Sequence, residues 1–271
     1  RGSMPIGGGN LGLNVWVEKD ELLIYFGSPD SWSYRGKGFN TQMQTKLGRL
    51  RLKFAPVAWA REFRQELELA SNSIRLSGKT ADGQAIKLRV WVDALQPVVH
   101  LEGQSDSPLE AAVSVEFPTG LAMAPHNEGQ TYGPLDREGR VDGDAIEWWE
   151  RSPAIDEGRE EYIRRFHVEA LAALLPNPMA NRTMGGRLSG AGFVADGMGQ
   201  GSYDGREFRS VKLKSAKPLK EFELRASLRI AQDATLEEWQ AQVKKLDAAK
   251  RATSRADWKA RSRSERRRAR S

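Results

Sequence analysis

Apolar and polar positions alternate along most of this chain with the two-residue period of half-buried strands. Leu11, Leu13, Val15 and Val17 alternate with Gly12, Asn14 and Trp16, and Leu22 to Phe26 forms a short apolar run. Gly48-Arg49-Leu50-Arg51-Leu52-Lys53-Phe54 alternates strictly, and Glu62 to Leu69 repeats the pattern with Phe63, Leu67 and Leu69. Ser73 to Gly78 follows, then Asp82-Gly83 at a hairpin position before Ile86 to Val92. Val98 to Glu102 and Ala111 to Phe117 predict two further strands. Residues 118–160 read as a long excursion loop ending in a strand at Ala145–Glu150. Strand signals return at Met184–Leu188, Phe208–Leu213 and Glu221 to Ile230, where Phe222, Leu224, Ala226, Leu228 and Ile230 share one face.

The period changes near Thr235. Thr235-Leu236-Glu237-Glu238 has the spacing of a capping box, and Leu236, Trp239, Val243 and Leu246 follow at helical intervals. The fold class read from this pattern is mainly β: a large antiparallel β-sandwich over residues 5–232, then a C-terminal linker helix over 233–250. Arg1-Gly2-Ser3-Met4 reads as a tag remnant before the first strand.

Composition adds three constraints. The formal charge is +6, but residues 251–271 hold eight Arg and one Lys against Asp257 and Glu265, which leaves the first 250 residues at −1. The basicity therefore belongs to a tail expected to be solvated and disordered, and no specific nucleic-acid partner is expected. With no cysteine, disulfides and thiolate metal sites are excluded, and the compartment stays open. No apolar run is long enough for a membrane helix, so no membrane partner is expected.

Few motifs point to a cofactor, and none is expected. Gly7 to Gly9 with Gly12 lack the preceding strand and following helix of a phosphate-binding loop and read as a tight turn. His100, His126 and His167 have no ligand spacing, and His100 reads as a packed strand residue. Asp136, Glu138, Asp142 and Asp144 match a calcium loop only loosely and read as a solvated loop. No metal site is expected.

Four segments, in order, resemble glycoside hydrolase family 95, the α-L-fucosidases, and a related bacterial polysaccharide-degrading group. They are Pro5 to Trp16, with its glycine-rich turn; Phe26-Gly27-Ser28-Pro29-Asp30-Ser31-Trp32-Ser33; Val90 to Ala94 with Pro97 to Glu102; and Asn177-Pro178-Met179 with Arg182 to Gly186 and Ser189-Gly190. The resemblance spans about residues 5–246. It implies an N-terminal sandwich that packs on a catalytic (α/α)6 barrel, with the catalytic groups in the barrel and the parent periplasmic or secreted. This chain would then be a non-catalytic module, inactive alone. In one respect it departs from the family: Trp148-Trp149 is followed by Glu150-Arg151-Ser152 instead of a His-Arg-Asn run.

Within that resemblance the first turn is expected to point Asn10 toward the barrel's substrate pocket. Trp32, Trp148 and Trp149 are candidates for stacking on a sugar ring. Trp148 and Trp149 are equally candidates for packing against the barrel, which would leave an exposed apolar patch on the isolated domain. Carbohydrate and the barrel are the expected partners. The alternatives are an independent carbohydrate-binding module and a small intact hydrolase with an unrecognised carboxylate pair.

Overall fold

The computed structural model describes residues 2–34, 42–118, 137–155 and 157–249; the tail 251–271, His126 and Asp136 lie outside the described residues. In chain order the first strands are β1 (Met4–Gly8), β2 (Leu11–Glu18), β3 (Glu21–Gly27), β4 (Trp32–Tyr34), β5 (Gln42–Gln44) and β6 (Gly48–Ala55). Next come β7 (Arg61–Glu68), β8 (Ser73–Lys79), β9 (Ala85–Val92), β10 (Val98–Pro118), β11 (Arg137–Asp142) and β12 (Ala145–Arg151). Helix α1 (Glu157–Arg165) precedes β13 (Thr183–Ser189), β14 (Phe193–Tyr203), β15 (Arg206–Ser215), β16 (Leu219–Ala231) and helix α2 (Leu236–Ala248).

The strands form the two antiparallel layers of a sandwich. One layer runs β1-β2-β3-β6-β10-β15-β14, the other β7-β8-β9-β10-β16-β13-β12-β11. Strand β10 belongs to both. Its first half pairs with β9 and β16, and its second half with β6 and β15. Val99 and Leu101 in the first half and Leu109, Ala111, Val113, Val115 and Phe117 in the second all lie in one buried core. Odd-numbered residues thus face the core in both halves of the strand, with the half-buried Ser105 and Ser107 between them. The switch falls at an irregularity between Gln104 and Leu109, beside Gly103, where the Phe222 ring occupies the space a side chain would need. The polar stretch after Gly103, which separates two strands in the sequence pattern, is extended backbone that joins them into one.

Three other expectations change. Strand β7 forms, but Phe63, Leu67 and Leu69 are all exposed, because β7 is the outermost strand of its layer. Strands β1, β4, β5, β11 and β14, not read from the sequence, are present, and β1, which runs through Gly7 and Gly8, is the preceding strand that the glycine turn is expected to lack. Part of the expected excursion loop, the described residues 137–151, is a hairpin closed at Gly143, with Glu147, Trp148 and Trp149 all buried on β12. A short insertion after β12 carries α1 and a 3-10 turn at Glu169–Leu171.

Trp148 crosses the core. Its ring stacks on Phe26 of the opposite layer at 6.2 Å, and its Nε1 donates to the Leu47 carbonyl at 2.7 Å. Helix α2 starts with the capping box formed: the Glu238 N–H donates to Thr235 Oγ1 at 3.1 Å, and the Glu238 carboxylate accepts from the Thr235 N–H at 3.3 Å. It lies on the outer side of the second layer, where Trp239 and Val243 are fully buried against Trp149.

Gly185 of β13 tests how tightly β12 is seated. A Cβ there would fall on the Trp148 carbonyl and within 2.7 Å of the Trp149 Cα, both backbone atoms that cannot rotate away. Gly185→Ala is expected to lower the free energy of unfolding by about 3 kcal/mol, measured by urea denaturation, through overpacking; an unchanged midpoint would show that the two strands separate freely.

Candidate functional site

A cleft of about 620 Å³ opens between the β1–β2 turn, the β3–β4 loop, the turn after β9, the outer part of β16 and the last turns of α2. Its walls are set by local backbone chemistry. Gly9 takes a positive φ of 55° at the tight turn, which presents Asn10 at the rim. The turn after β9 is held by Asp93, whose carboxylate accepts from the Leu95 and Gln96 N–H groups at 2.8 and 3.1 Å.

The β3–β4 loop is tied in the same way. Ser31 Oγ lies 2.7 Å from the Ser28 carbonyl and 2.6 Å from that of Thr45, and the Ser28 hydroxyl accepts from the Asp30 N–H at 3.2 Å. Arg182 reaches from beyond the insertion to the Asp30 carbonyl at 2.6 Å. The Asp30 carboxylate, so placed, accepts from Asn10 Nδ2 at 3.3 Å.

Among the lining residues the cleft offers the amides of Asn10, Gln96 and Gln242, the ammonium of Lys245 and one carboxylate, Asp30. Arg229 also lines it but is held by both oxygens of Asp233 at 2.8 and 3.0 Å. This donor and acceptor set suits a hydroxyl-rich ligand. It lacks the two carboxyl groups, roughly 6.5–9.5 Å apart, that inverting glycoside hydrolysis needs. Among the described residues, the buried glutamates elsewhere are held by arginine, and buried Asp93 by backbone N–H groups. Glu116 bonds Arg49 and Arg51, Glu147 bonds Arg140 and Arg187, and Glu150 bonds Arg137 and Ser33.

The structure separates the four candidate residues. Asn10 stands at the rim of the cleft. Trp32 lies just beyond Asp30 and is 43% exposed, its Nε1 donating to the Pro29 carbonyl at 2.9 Å. Trp148 and Trp149 present no face to a sugar: one is in the core and the other lies under α2. The exposed apolar patch expected from them is therefore absent, because the chain's own helix supplies the cover. Exposed apolar side chains instead gather in the insertion, at Ile155, Tyr162, Phe166, Leu171 and Leu174.

Glu150-Arg151-Ser152 is used for internal ties. Beside the Glu150 contacts, Arg151 donates to Thr183 Oγ1 at 2.6 Å and to the Asp233 and Ala234 carbonyls at 3.1 and 2.9 Å, fastening β12 to the segment before α2. Asp142 is not a free loop carboxylate either. It is paired with Arg187 and with Lys244 of α2. His100 is buried and stacked on Trp91 at 3.9 Å. Among the described residues no group of three or more His, Asp or Glu is placed to hold a metal ion, and no helix is long and apolar enough to cross a membrane.

Sequence reasoning found the turn bearing Asn10 and the segment bearing Asp30. It missed Leu95, Gln96, Gln242 and Lys245, which sit in a short turn and on a helix face and carry no motif.

Residues 1–264 match the N-terminal profile of a family described as Domain of unknown function (DUF5703). No curated protein matches the chain. Among solved structures it is similar to one described as a kojibiose phosphorylase from the human microbiome, at 11% identity and a TM-score of 0.52, over 94% of this chain and 34% of that one. It also matches a bacterial glucoamylase complexed with acarbose, at 9% identity and a TM-score of 0.38, over 88% of this chain and 35% of the other. The chain thus spans about a third of the length of the solved structures it matches. At 11% identity the first likeness is one of fold alone.

Because α2 walls the cleft, its attachment is the property to titrate. Burial raises the pKa of Asp142, but the hydrogen bonds and charges of Arg187 and Lys244 together hold it below the usual aspartate value. A depressed carboxylate stabilises the fold above its unfolded pKa, and that stabilisation is lost as pH falls through the folded value, which lies under the ordinary aspartate value. Asp142→Asn is expected to be less stable than the parent chain in urea at pH 7, with the gap closing toward pH 3; a gap independent of pH would show that the pair adds nothing.

Proposed function

We propose, from the premise that the chain belongs to the family described as Domain of unknown function (DUF5703), that it is the non-catalytic N-terminal sandwich domain of a fucosidase-like glycoside hydrolase. In this reading it supports the substrate site of a separate (α/α)6 barrel. The observation that carries the reading is the chemistry of the cleft. It holds sugar-compatible amides and a single carboxylate already bonded to Asn10, while Glu116, Glu147 and Glu150 are neutralised in arginine pairs. A cleft of this kind binds and orients a ligand, and another domain must supply the acid and base.

Two further features support it. The fold is shared with about a third of a larger protein described as a kojibiose phosphorylase, as expected of one domain in a carbohydrate-active chain. The insertion between β12 and β13 exposes Ile155, Phe166, Leu171 and Leu174, a concentration of apolar surface of the kind a neighbouring domain covers. The four motifs shared with family 95 support the fucosidase-like assignment within this broader class. Asn10 and Asp30 at the cleft, with Trp32 beside them, are the residues by which the sandwich would reach the sugar.

The test uses a panel of nitrophenyl glycosides that includes the α-L-fucoside and the α- and β-galactosides. The chain alone at high concentration is expected to release no nitrophenol, while a barrel-bearing parent is active. In that parent, Asn10→Ala is expected to raise KM with a smaller change in kcat. Turnover by the isolated chain that disappears when one Asp or Glu is replaced would make it a compact hydrolase and overturn the reading.

A further inference from the structure

The outer face of the first layer carries a second hollow, which shares only Ser28 of the β3–β4 loop with the cleft among the described lining residues. Leu11, Leu13 and Val15 of β2 and Leu22, Ile24 and Phe26 of β3 face the core, so Gly12, Asn14 and Trp16 and, opposite them, Gly27, Tyr25 and Leu23 face outward. Gly12 and Gly27 are register partners. With no side chain from either, the sheet surface drops to bare backbone there, and a hollow of about 370 Å³ lies over it. Packing does not require these glycines. A Cβ at Gly12 would meet nothing within 4 Å, and one at Gly27 nothing closer than 3.7 Å. Glycine in a strand interior weakens the strand, and it often marks a place where a ligand or another backbone comes close.

The walls are of two kinds. On one side stand Asn14 and Tyr25, with Trp16 in the next row, its ring 5.2 Å from that of Tyr25 and inclined by 35°. These rings are held from below and behind. The Arg49 guanidinium donates to the Tyr25 hydroxyl at 3.3 Å and lies 3.7 Å from the Tyr203 ring centre, while Trp16 Nε1 donates to Glu18 at 3.4 Å. On the other side are Gln44, Thr45 and Lys46, with the Gln44 amide nitrogen donating to the Ser28 carbonyl at 3.2 Å and leaving its oxygen as an acceptor. Among the described residues no carboxylate lines the hollow.

We propose that this hollow is a saccharide-binding site, distinct from the cleft, that takes a pyranose unit of an oligosaccharide against the Tyr25 ring, which Trp16 backs from the next row. The ligand class follows from the chemistry. A flat backbone floor admits a ring lying close to the sheet, and the aromatic wall matches the apolar face of a pyranose. The Asn14 and Gln44 amides and the Lys46 ammonium are the polar groups that meet ring hydroxyls. Because the aromatic wall is fastened by Arg49 and Glu18, little ordering is left to occur on binding.

The glycine floor supplies a discriminating variant. The Cβ of Gly12→Val would meet nothing within 4 Å and valine suits an extended backbone, yet the substitution places a branched side chain where the ring would lie. The experiment titrates the whole chain with cello-, xylo-, manno- and malto-oligosaccharides and one uronide, following tryptophan fluorescence and calorimetric heat. At least one saccharide is expected to bind saturably at millimolar concentration or below. Gly12→Val is expected to keep the parent Tm and weaken binding by about tenfold or more; Gly12→Ala, a smaller intrusion, should weaken it less. Trp16→Ala should also weaken it, whereas Asn10→Ala and Trp32→Ala should not. Overturning results are the absence of saturable binding across the panel, full affinity in Gly12→Val, or binding lost only in Asn10→Ala or Trp32→Ala.

Discussion

Strand β10 has to exchange backbone hydrogen bonds with four neighbours in two layers while turning the same side to the core in both halves of its 21 residues, and the rest of the molecule is arranged around that demand. An extended chain alternates its side chains with period two, so any single-residue slip at the crossing would have turned Ala111, Val113 and Val115 to solvent. The irregularity between Gln104 and Leu109 bends the strand without changing the parity of its buried face. One strand thereby brings β6 and β15 over β9 and β16, and the core closes between them.

Closure leaves each layer an outer face, and the two are used differently. On the second layer α2 lies over Trp149, sealed by Trp239 and Val243 and anchored where Asp247 accepts from Ser189 and Ser227 at 3.0 and 3.1 Å. Its last turns then form one wall of the cleft. On the first layer no helix intervenes among the described residues, and the outward positions hold interleaved arginine, glutamate and aromatic side chains. Arg49 and Arg51 share Glu116, and Tyr203 donates to Glu18 at 2.6 Å. Buried ion pairs of this kind contribute little net stability, because desolvation offsets their attraction, but each holds its side chains in one geometry. Here they brace the aromatic wall.

Much of the fold was legible in the chain. Wherever a strand has one dry and one wet face, as at Leu11–Val17, Gly48–Phe54 and Glu221–Ile230, the period-two pattern marked it. The capping box at Thr235 marked the helix start because that interaction is local, spanning three residues. The site was legible in part. Asn10 and Asp30 fall in turns with recognisable composition, whereas Gln96, Gln242 and Lys245 join them only through folding. Strand β14, with glycine at 197, 199 and 201 and partly exposed throughout most of its length, gave no alternation to read.

The sequence by itself determined which residues must be hidden, since hydrophobic burial and backbone geometry act on each segment before any partner is known. It could not determine what would hide them. Trp148 and Trp149 were marked as needing cover, but only the tertiary structure decided that the cover is the core on one side and α2 on the other. Likewise Gly12 and Gly27 lie 15 residues apart and become a single floor only through the register of β2 and β3. Contacts between segments depend on how the layers cross, and that is set by β10, where the polar stretch between two predicted strands stays extended and links the pairings on either side of it.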